Sequence, residues 1–416
     1  MKPSRAAGLW SHDNHAPGGP GGRQAADAAG RPLGSASFIA FAVISFGGPL
    51  ALAGLIAPAV ISGSGSRAGS SAGLEILLAT VIFAAPMVIW LRYAKHIQGA
   101  GGLYDYVKAA AGPQVAFAQA AIWTVSYLLY IIYTTEQIVY DLLPAALPGE
   151  RSVETLLALL IPLALVVVMV GGRRTAMITA GLLAVSQMLL VVILDVVTLA
   201  HVSAPASTFG TGSPAGELAK SGFQNSMLYI CGSLPLFLGG ELLRPAVTIR
   251  RGMIGVFAVT AIVTLLAVAP LAAAPGLLHA PISSVSLSDR YVGHWLGDAM
   301  AVGLALSTFG VMLAEYFALT RIVHAVTSWA LRPITLVIAA VVVIAAPLML
   351  IDPQGLYNAL STPSLIALWL SQLIVFAVYP LFARSHGQRL LPACALSLFT
   401  SGLAIYGLVL SLQNAS

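Results

Sequence analysis

Eleven apolar runs of about twenty residues, separated by short loops, constrain this chain more than any other feature. They fall at 38–61, 74–91, 115–138, 155–171, 175–200, 223–243, 253–274, 298–320, 333–351, 363–382 and 390–411. A run of about 20 apolar residues is what an α-helix needs to cross a bilayer. Only 8% of the 416 residues are charged and 58% are hydrophobic, whereas a soluble domain carries about 25% charged residues to face water. Lipid is therefore the solvent for most of the chain, and the expected fold is an all-α polytopic membrane protein with eleven transmembrane helices.

Loop charge sets the orientation. With the N-terminus inside, the inner loops and tail hold sixteen of the twenty basic residues, including Arg92, Lys95, Lys108, Arg173, Arg174, Arg244, Arg250, Arg251, Arg321 and Arg332. The outer side holds Arg67, Arg151, Lys220 and Arg290. Such a split follows the positive-inside rule, and adding or omitting a span midway would spoil it. The odd total puts the C-terminus outside. The basic residues lie singly between apolar runs, so the net charge of +5 reflects topology and no nucleic-acid partner is expected. Residues 1–37, rich in Gly, Ala and Pro and without an apolar core, read as a disordered cytoplasmic tail.

Two spans are interrupted in matching places. The first contains Ser45-Phe46-Gly47-Gly48-Pro49 and the sixth Cys231-Gly232-Ser233-Leu234-Pro235, each about ten residues in. Proline lacks the N–H of the helical ladder and suits the first position of a new helix, so each span reads as two half-helices joined by unwound backbone. Such backbone is tolerated at membrane depth only inside protein or beside a water-filled cavity. Five spans separate the two breaks, so the second copy is inverted, as in transporters that bind solute between discontinuous helices. The expected organisation is a 5+5 inverted repeat, 38–200 and 223–382, joined by an outer connector at 201–222, with 383–416 carrying an extra helix.

Further along, Gln98-Gly99-Ala100-Gly101-Gly102-Leu103-Tyr104-Asp105-Tyr106, followed by Gly112 and Pro113, resembles the segment between helices two and three of amino-acid permeases. These belong to the amino acid–polyamine–organocation (APC) superfamily, with the LeuT-type fold. Phe237-Leu238-Gly239-Gly240-Glu241 is similar to that family's Phe-x-Gly-x-Glu run, and Leu319-Thr320-Arg321 to its (Ser/Thr)-Arg stretch. The chain departs from the family where Gly47-Gly48-Pro49 replaces the usual Gly-x-Gly, in a shortened exit from span six, and in lacking a twelfth helix. The resemblance implies a permease moving an amino acid or related small organic amine through the cytoplasmic membrane.

For such a ligand, the N-terminus of the outer half-helix at Pro49 offers a partial positive charge to a carboxylate, and Gly47 and Gly48 let it approach the backbone. Carbonyls near Ser45, Phe46, Ile230 and Cys231, with Gly232 and Ser233 beside them, would accept from an ammonium group. Phe237 is expected over the site as a gate. Trp123, Tyr127, Tyr130, Tyr133, Gln137 and Tyr140 form an aromatic face on span three, with Tyr127 and Tyr130 nearest mid-membrane.

Charge inside the membrane is costly and points to function. Glu75, Glu136, Asp195 and Asp298 lie near outer ends of spans, where water is expected to reach them. Glu241 and Glu315 sit deeper. Glu241 matches the family's glutamate, which the resemblance implies responds to protons; its other reading is a carboxylate paired with Arg244. Ser307 and Thr308, in mid-span eight, match the hydroxyl pair that binds sodium in some members of the fold, and hard cations favour oxygen ligands. Span five lacks the lysine that replaces sodium in others. The coupling ion is therefore read as H+ or Na+, with no other cofactor or metal. Cys231 and Cys394 form no disulfide framework. The absence of a zinc motif, a nucleophile–base arrangement and a Walker loop argues against an enzyme. A membrane sensor on the same fold stays open as an alternative.

Overall fold

The computed structural model describes residues 32–59, 71–147, 150–202, 208–210, 214–271, 274–278, 280 and 282–413. Among these, ten helices are long and apolar enough to cross a membrane. They correspond to every expected span except the sixth, and no extended strand occurs. Span eight is the longest, His294–Thr327, and runs through the centre with most of its residues buried. Spans four and five instead present Leu156, Leu163, Leu182, Val185 and Leu189 outward, each between 48% and 70% exposed. An apolar face of that kind suits lipid, which competes for no hydrogen bonds.

The first span breaks where expected. An α-helix over Ser35–Ser45 ends at Phe46, and a second begins at Pro49 after Gly47 and Gly48, both at positive φ (81° and 68°). Only glycine adopts that backbone at little cost, and Pro49 then enters the outer half at N1, where its missing N–H costs nothing. The outer half loosens to a π-helix over Leu52–Ile56. The inner half starts at Ser35, three residues before the apolar run, and Leu33 forms a bridge with Leu242 of span six. Residues 1–31 of the expected tail lie outside the described residues.

The sixth span corrects the expectation. There is no kink at Cys231–Pro235 between two α-helices. An α-helix over Ala215–Ser226 enters from the connector, and the chain then runs as a 3-10 helix over Met227–Glu241. At a rise of about 2.0 Å per residue, these 15 residues reach roughly 30 Å, the thickness of the hydrocarbon core. The segment thus crosses the membrane region without being one of the ten long α-helices. The expected count of eleven such helices is not met for this reason. Extended 3-10 runs are rare because their hydrogen bonds are poorly aligned, so this one depends on its neighbours for support.

Those neighbours are spans one, two, three, seven, eight and ten. Phe46 lies over Gly232, where a Cβ would strike the ring, and Phe41 meets Phe317 edge-on at 5.2 Å. Spans three and ten are clamped by reciprocal hydrogen bonds: Ser126 Oγ donates to Ser364 O (2.7 Å) and Ser364 Oγ to Ser126 O (2.8 Å). Small hydroxyl residues let helices approach closely in lipid.

Gly48 and Gly112 both hold positive φ, but only Gly48 has atoms in the space a Cβ would take, those of Ser307 and Gln187. We expect Gly112→Ala to cost about 1–2 kcal/mol for the left-handed backbone alone, and Gly48→Ala distinctly more. Melting temperatures in detergent check the order; equal losses would mean that the break is not closely packed.

Candidate functional site

At the break in span one, backbone groups freed from the helical ladder need partners. The Ala51 N–H, in the first turn of the outer half, donates to Ser307 Oγ at 3.3 Å, and Ser307 Oγ donates to Gln187 Oε1 at 3.0 Å. Ser307 and Gln187 are fully buried. Spans one, five and eight are thereby tied at one point. Gly48 is glycine because these groups press against its Cα. Gly48 is thus packed closely against span eight at the break. Thr308 is buried too, but its hydroxyl donates back to Leu304 O at 2.9 Å. Ser307 alone of the hydroxyl pair bonds at the break. Gln187, which the sequence reading passed over, occupies span five beside it. Its Nε2 has no hydrogen-bond partner among the described residues. A lone glutamine midway along an apolar span was the signal.

Ser45 is buried, with its hydroxyl donating to Phe41 O at 2.6 Å. Pro49, Ile230, Cys231 and Gly232 are likewise buried. Ser233 Oγ accepts from Gln372 Nε2 of span ten at 3.4 Å. Residues of the two interrupted spans therefore do meet, through Phe46 on Gly232.

The aromatic face of span three is a ladder: Trp123–Tyr127 at 4.1 Å, Tyr127–Tyr130 at 6.3 Å and Tyr130–Tyr133 at 5.0 Å between ring centroids. Tyr127 is buried, and its hydroxyl faces the Cys231 thiol of span six, a weak partner. Glu315 lies within electrostatic reach of Tyr127, Tyr130, Tyr133 and Cys231. It is 0% exposed, and neither carboxylate oxygen has a hydrogen-bond partner among the described residues. Among the described residues no arginine or lysine forms an ion pair with it. An uncompensated carboxyl group among tyrosines is an expensive arrangement.

Glu241 differs. Its carboxylate takes Arg321 Nε at 3.0 Å and Arg173 Nη1 at 3.5 Å. Arg321 also lies over the Phe317 ring at 3.2 Å and donates to Thr320 Oγ1. The Glu241 carbonyl accepts from Leu33 N at 2.8 Å. Of the two readings of Glu241, the paired one is observed, with Arg321 and Arg173 in place of the exposed Arg244. Helices from spans one, five, six and eight are stapled here, beside a cleft of about 460 Å³.

The glycine-rich loop closes the same end. Gly101 N donates to Asp105 Oδ2 at 2.9 Å, and the Cβ positions of Gly99 and Gly101 are filled by that carboxylate. Burial pushes the Asp105 carboxyl above its ordinary range, with the Gly101 N–H pulling it partly back. Gly239 and Gly240 pack on the backbone of Gly99 and Ala100, and Gly102 packs on the Phe237 ring. Phe237 is wedged between Gly102 and Trp123, 4.8 Å away. It thus packs against the glycine-rich loop at the basic end of the spans.

Glu75, Glu136 and Asp195 are buried and not water-washed as expected; Glu75 accepts from Ser71 Oγ and Ser221 Oγ. Asp298 is exposed, as expected. Among the described residues no group of three or more His, Cys, Asp or Glu side chains is placed to hold a metal.

No family model and no curated protein sequence matches the chain. Its structure is similar to the crystal structure of MhsT in complex with L-phenylalanine, with a TM-score of 0.59 and 14% sequence identity, over 91% of this chain and 98% of that one. The chain therefore has an all-α, multi-pass fold of the LeuT type.

The Glu241–Arg321 pair generates a cycle. Both side chains are mostly buried (13% and 7% exposed), and removing one partner strands the other. We expect Glu241→Gln and Arg321→Gln each to lower the melting temperature, and the double variant to lose less than the sum, with a coupling of about 1–3 kcal/mol. Strict additivity would show that the staple contributes nothing.

Proposed function

We propose that the chain is a secondary transporter, a member of the APC superfamily, that moves an amino acid or a related small organic amine across the cytoplasmic membrane by alternating access. One observation carries this reading: a glycine-broken span one and a 3-10 span six meet beside a carboxyl group, Glu315, that has no hydrogen-bond or ion-pair partner among the described residues. A buried carboxyl group without a partner is costly inside lipid and suits the centre of a carrier that binds its cargo between interrupted spans. The LeuT-type fold supports the reading, as does the phenylalanine bound to a protein of similar structure.

In this proposal the solute lies among Ser45, Phe46, Gly47, Gly48 and Pro49 of span one, Ile230, Cys231, Gly232 and Ser233 of span six, and Tyr127 and Tyr130 of span three, above Phe237. The basic end, with the Glu241–Arg321–Arg173 staple, faces the cytoplasm and forms the inner gate. The two five-helix repeats, 38–200 and 223–382, rock against each other, and the helix in 383–416 packs outside them.

Coupling is assigned to Glu315 in place of Glu241. An anion without a cation is costly in that core, so Glu315 takes up either a proton or the solute's ammonium group on each cycle. A sodium reading rests on a separate observation, the oxygens of Ser307 and Gln187 gathered against Gly48.

The test is a thermal-shift screen of purified protein against amino acids, polyamines and other small organic solutes, followed by uptake of the best hit into proteoliposomes. A pH gradient, inside alkaline, is expected to drive accumulation by wild type and not by Glu315→Gln. A sodium gradient that drives uptake, lost in Ser307→Ala and kept in Glu315→Gln, would select sodium. Stabilising solutes that never cross the vesicle membrane would turn the reading toward a sensor.

A further inference from the structure

A second concave site lies far from the span-one break, at the basic end of the bundle. It is a groove of about 440 Å³ between the end of span two and the start of span seven, lined by Val88, Leu91, Arg92 and Lys95 on one side and by Ala246, Val247, Arg250 and Arg251 on the other. Four cations and no carboxylate face one another there. None of the four takes part in an ion pair among the described residues. The contrast with the neighbouring cleft is informative, since Arg173 and Arg321 there are neutralised by Glu241. Like charges this close repel unless an anion lies between them.

The depth and lining select the anion. Span two ends at His96 and span seven begins at Pro245. Arg92, Arg250 and Arg251 thus sit about 6–9 Å inside the helix ends at 1.5 Å per residue, the level of lipid headgroups. Val88 lies a further turn toward the hydrocarbon. Arg92 is held in place by Tyr379, whose hydroxyl accepts from Nη1 at 2.9 Å, while Lys95, Arg250 and Arg251 are exposed. A fixed guanidinium flanked by three exposed cations, above an apolar wall open to the side, fits a phosphodiester with acyl chains attached. Arginine recognises phosphate oxygens in pairs, and basic pockets between membrane helices hold anionic headgroups.

We propose that this groove is a binding site for one anionic phospholipid, which bridges spans two and seven by its phosphate. The site would tie span seven, the continuation of the 3-10 span six, to span two. It stands independently of the transport reading, since it needs only a bilayer.

Native mass spectrometry of the full-length protein, released from vesicles of phosphatidylcholine and phosphatidylglycerol in equal amounts, tests it. Wild type is expected to retain one phosphatidylglycerol in preference to phosphatidylcholine by about tenfold or more, the scale of one charge-assisted contact. Arg250→Gln with Arg251→Gln should abolish the preference, whereas Arg174→Gln with Arg332→Gln, two basic positions at the same end but outside the groove, should keep it. Should the double variant fail to fold, competition on wild type decides: millimolar inorganic phosphate is expected to leave the retained lipid in place. The inference is overturned by an unchanged preference in the groove variant, by equal loss in the control variant, by no preference in wild type, or by displacement with inorganic phosphate, which would mean a free-anion site only.

Discussion

A backbone N–H or carbonyl left bare in hydrocarbon costs several kcal/mol, and the rest of this structure depends on how that cost is met at the break in span one. Ser307 supplies the answer. Its hydroxyl accepts from Ala51 N and donates to Gln187 Oε1, so one side chain joins three spans at the point where the first helix is interrupted. The glycines are needed for the turn, but the serine keeps the turn affordable inside the membrane. Span six solves the same problem differently. Its 3-10 coil keeps a hydrogen-bonded ladder, poorly aligned but continuous, and leans on Phe46, Trp123 and the Gly99–Gly102 loop for packing.

These two solutions divide the molecule into a quiet end and a charged centre. At the basic end, Glu241, Arg321, Arg173 and the Leu33 bridge hold four spans together with their charges satisfied. At the centre, Glu315 stays uncompensated against a wall of tyrosines. A protein that only had to be stable would place its arginine there. Leaving the carboxyl group free while spending two arginines on Glu241 is the asymmetry expected of a site that must take up and release a positive charge.

How far the sequence could be read follows from what each signal encodes. Ten spans were legible because hydropathy acts residue by residue over a long window. The break at Gly47-Gly48-Pro49 was legible because positive φ and a helix-starting proline are local demands. Span six carries a similar small-residue and proline pattern, yet it forms a 3-10 coil, since the choice between three and 3.6 residues per turn is made by packing against Phe46 and Gly102. The choice between Glu241 and Glu315 was beyond sequence for a related reason. Both are lone acids in apolar runs, and they differ only in whether Arg321 folds back to reach one of them. Gln187 was overlooked because its partner lies 120 positions away.

The native Cys231 offers the most direct test that a solute binds where spans one and six meet. It is buried beside Tyr127 and Glu315, while the other cysteine, Cys394, is exposed and serves as an internal control. The measurement is the rate of modification of each thiol by a membrane-permeant maleimide, with and without the solute that stabilises the protein most. The account predicts that the solute slows labelling of Cys231 in proportion to occupancy and leaves Cys394 unchanged. Labelling of Cys231 at the same rate with the solute bound would contradict it.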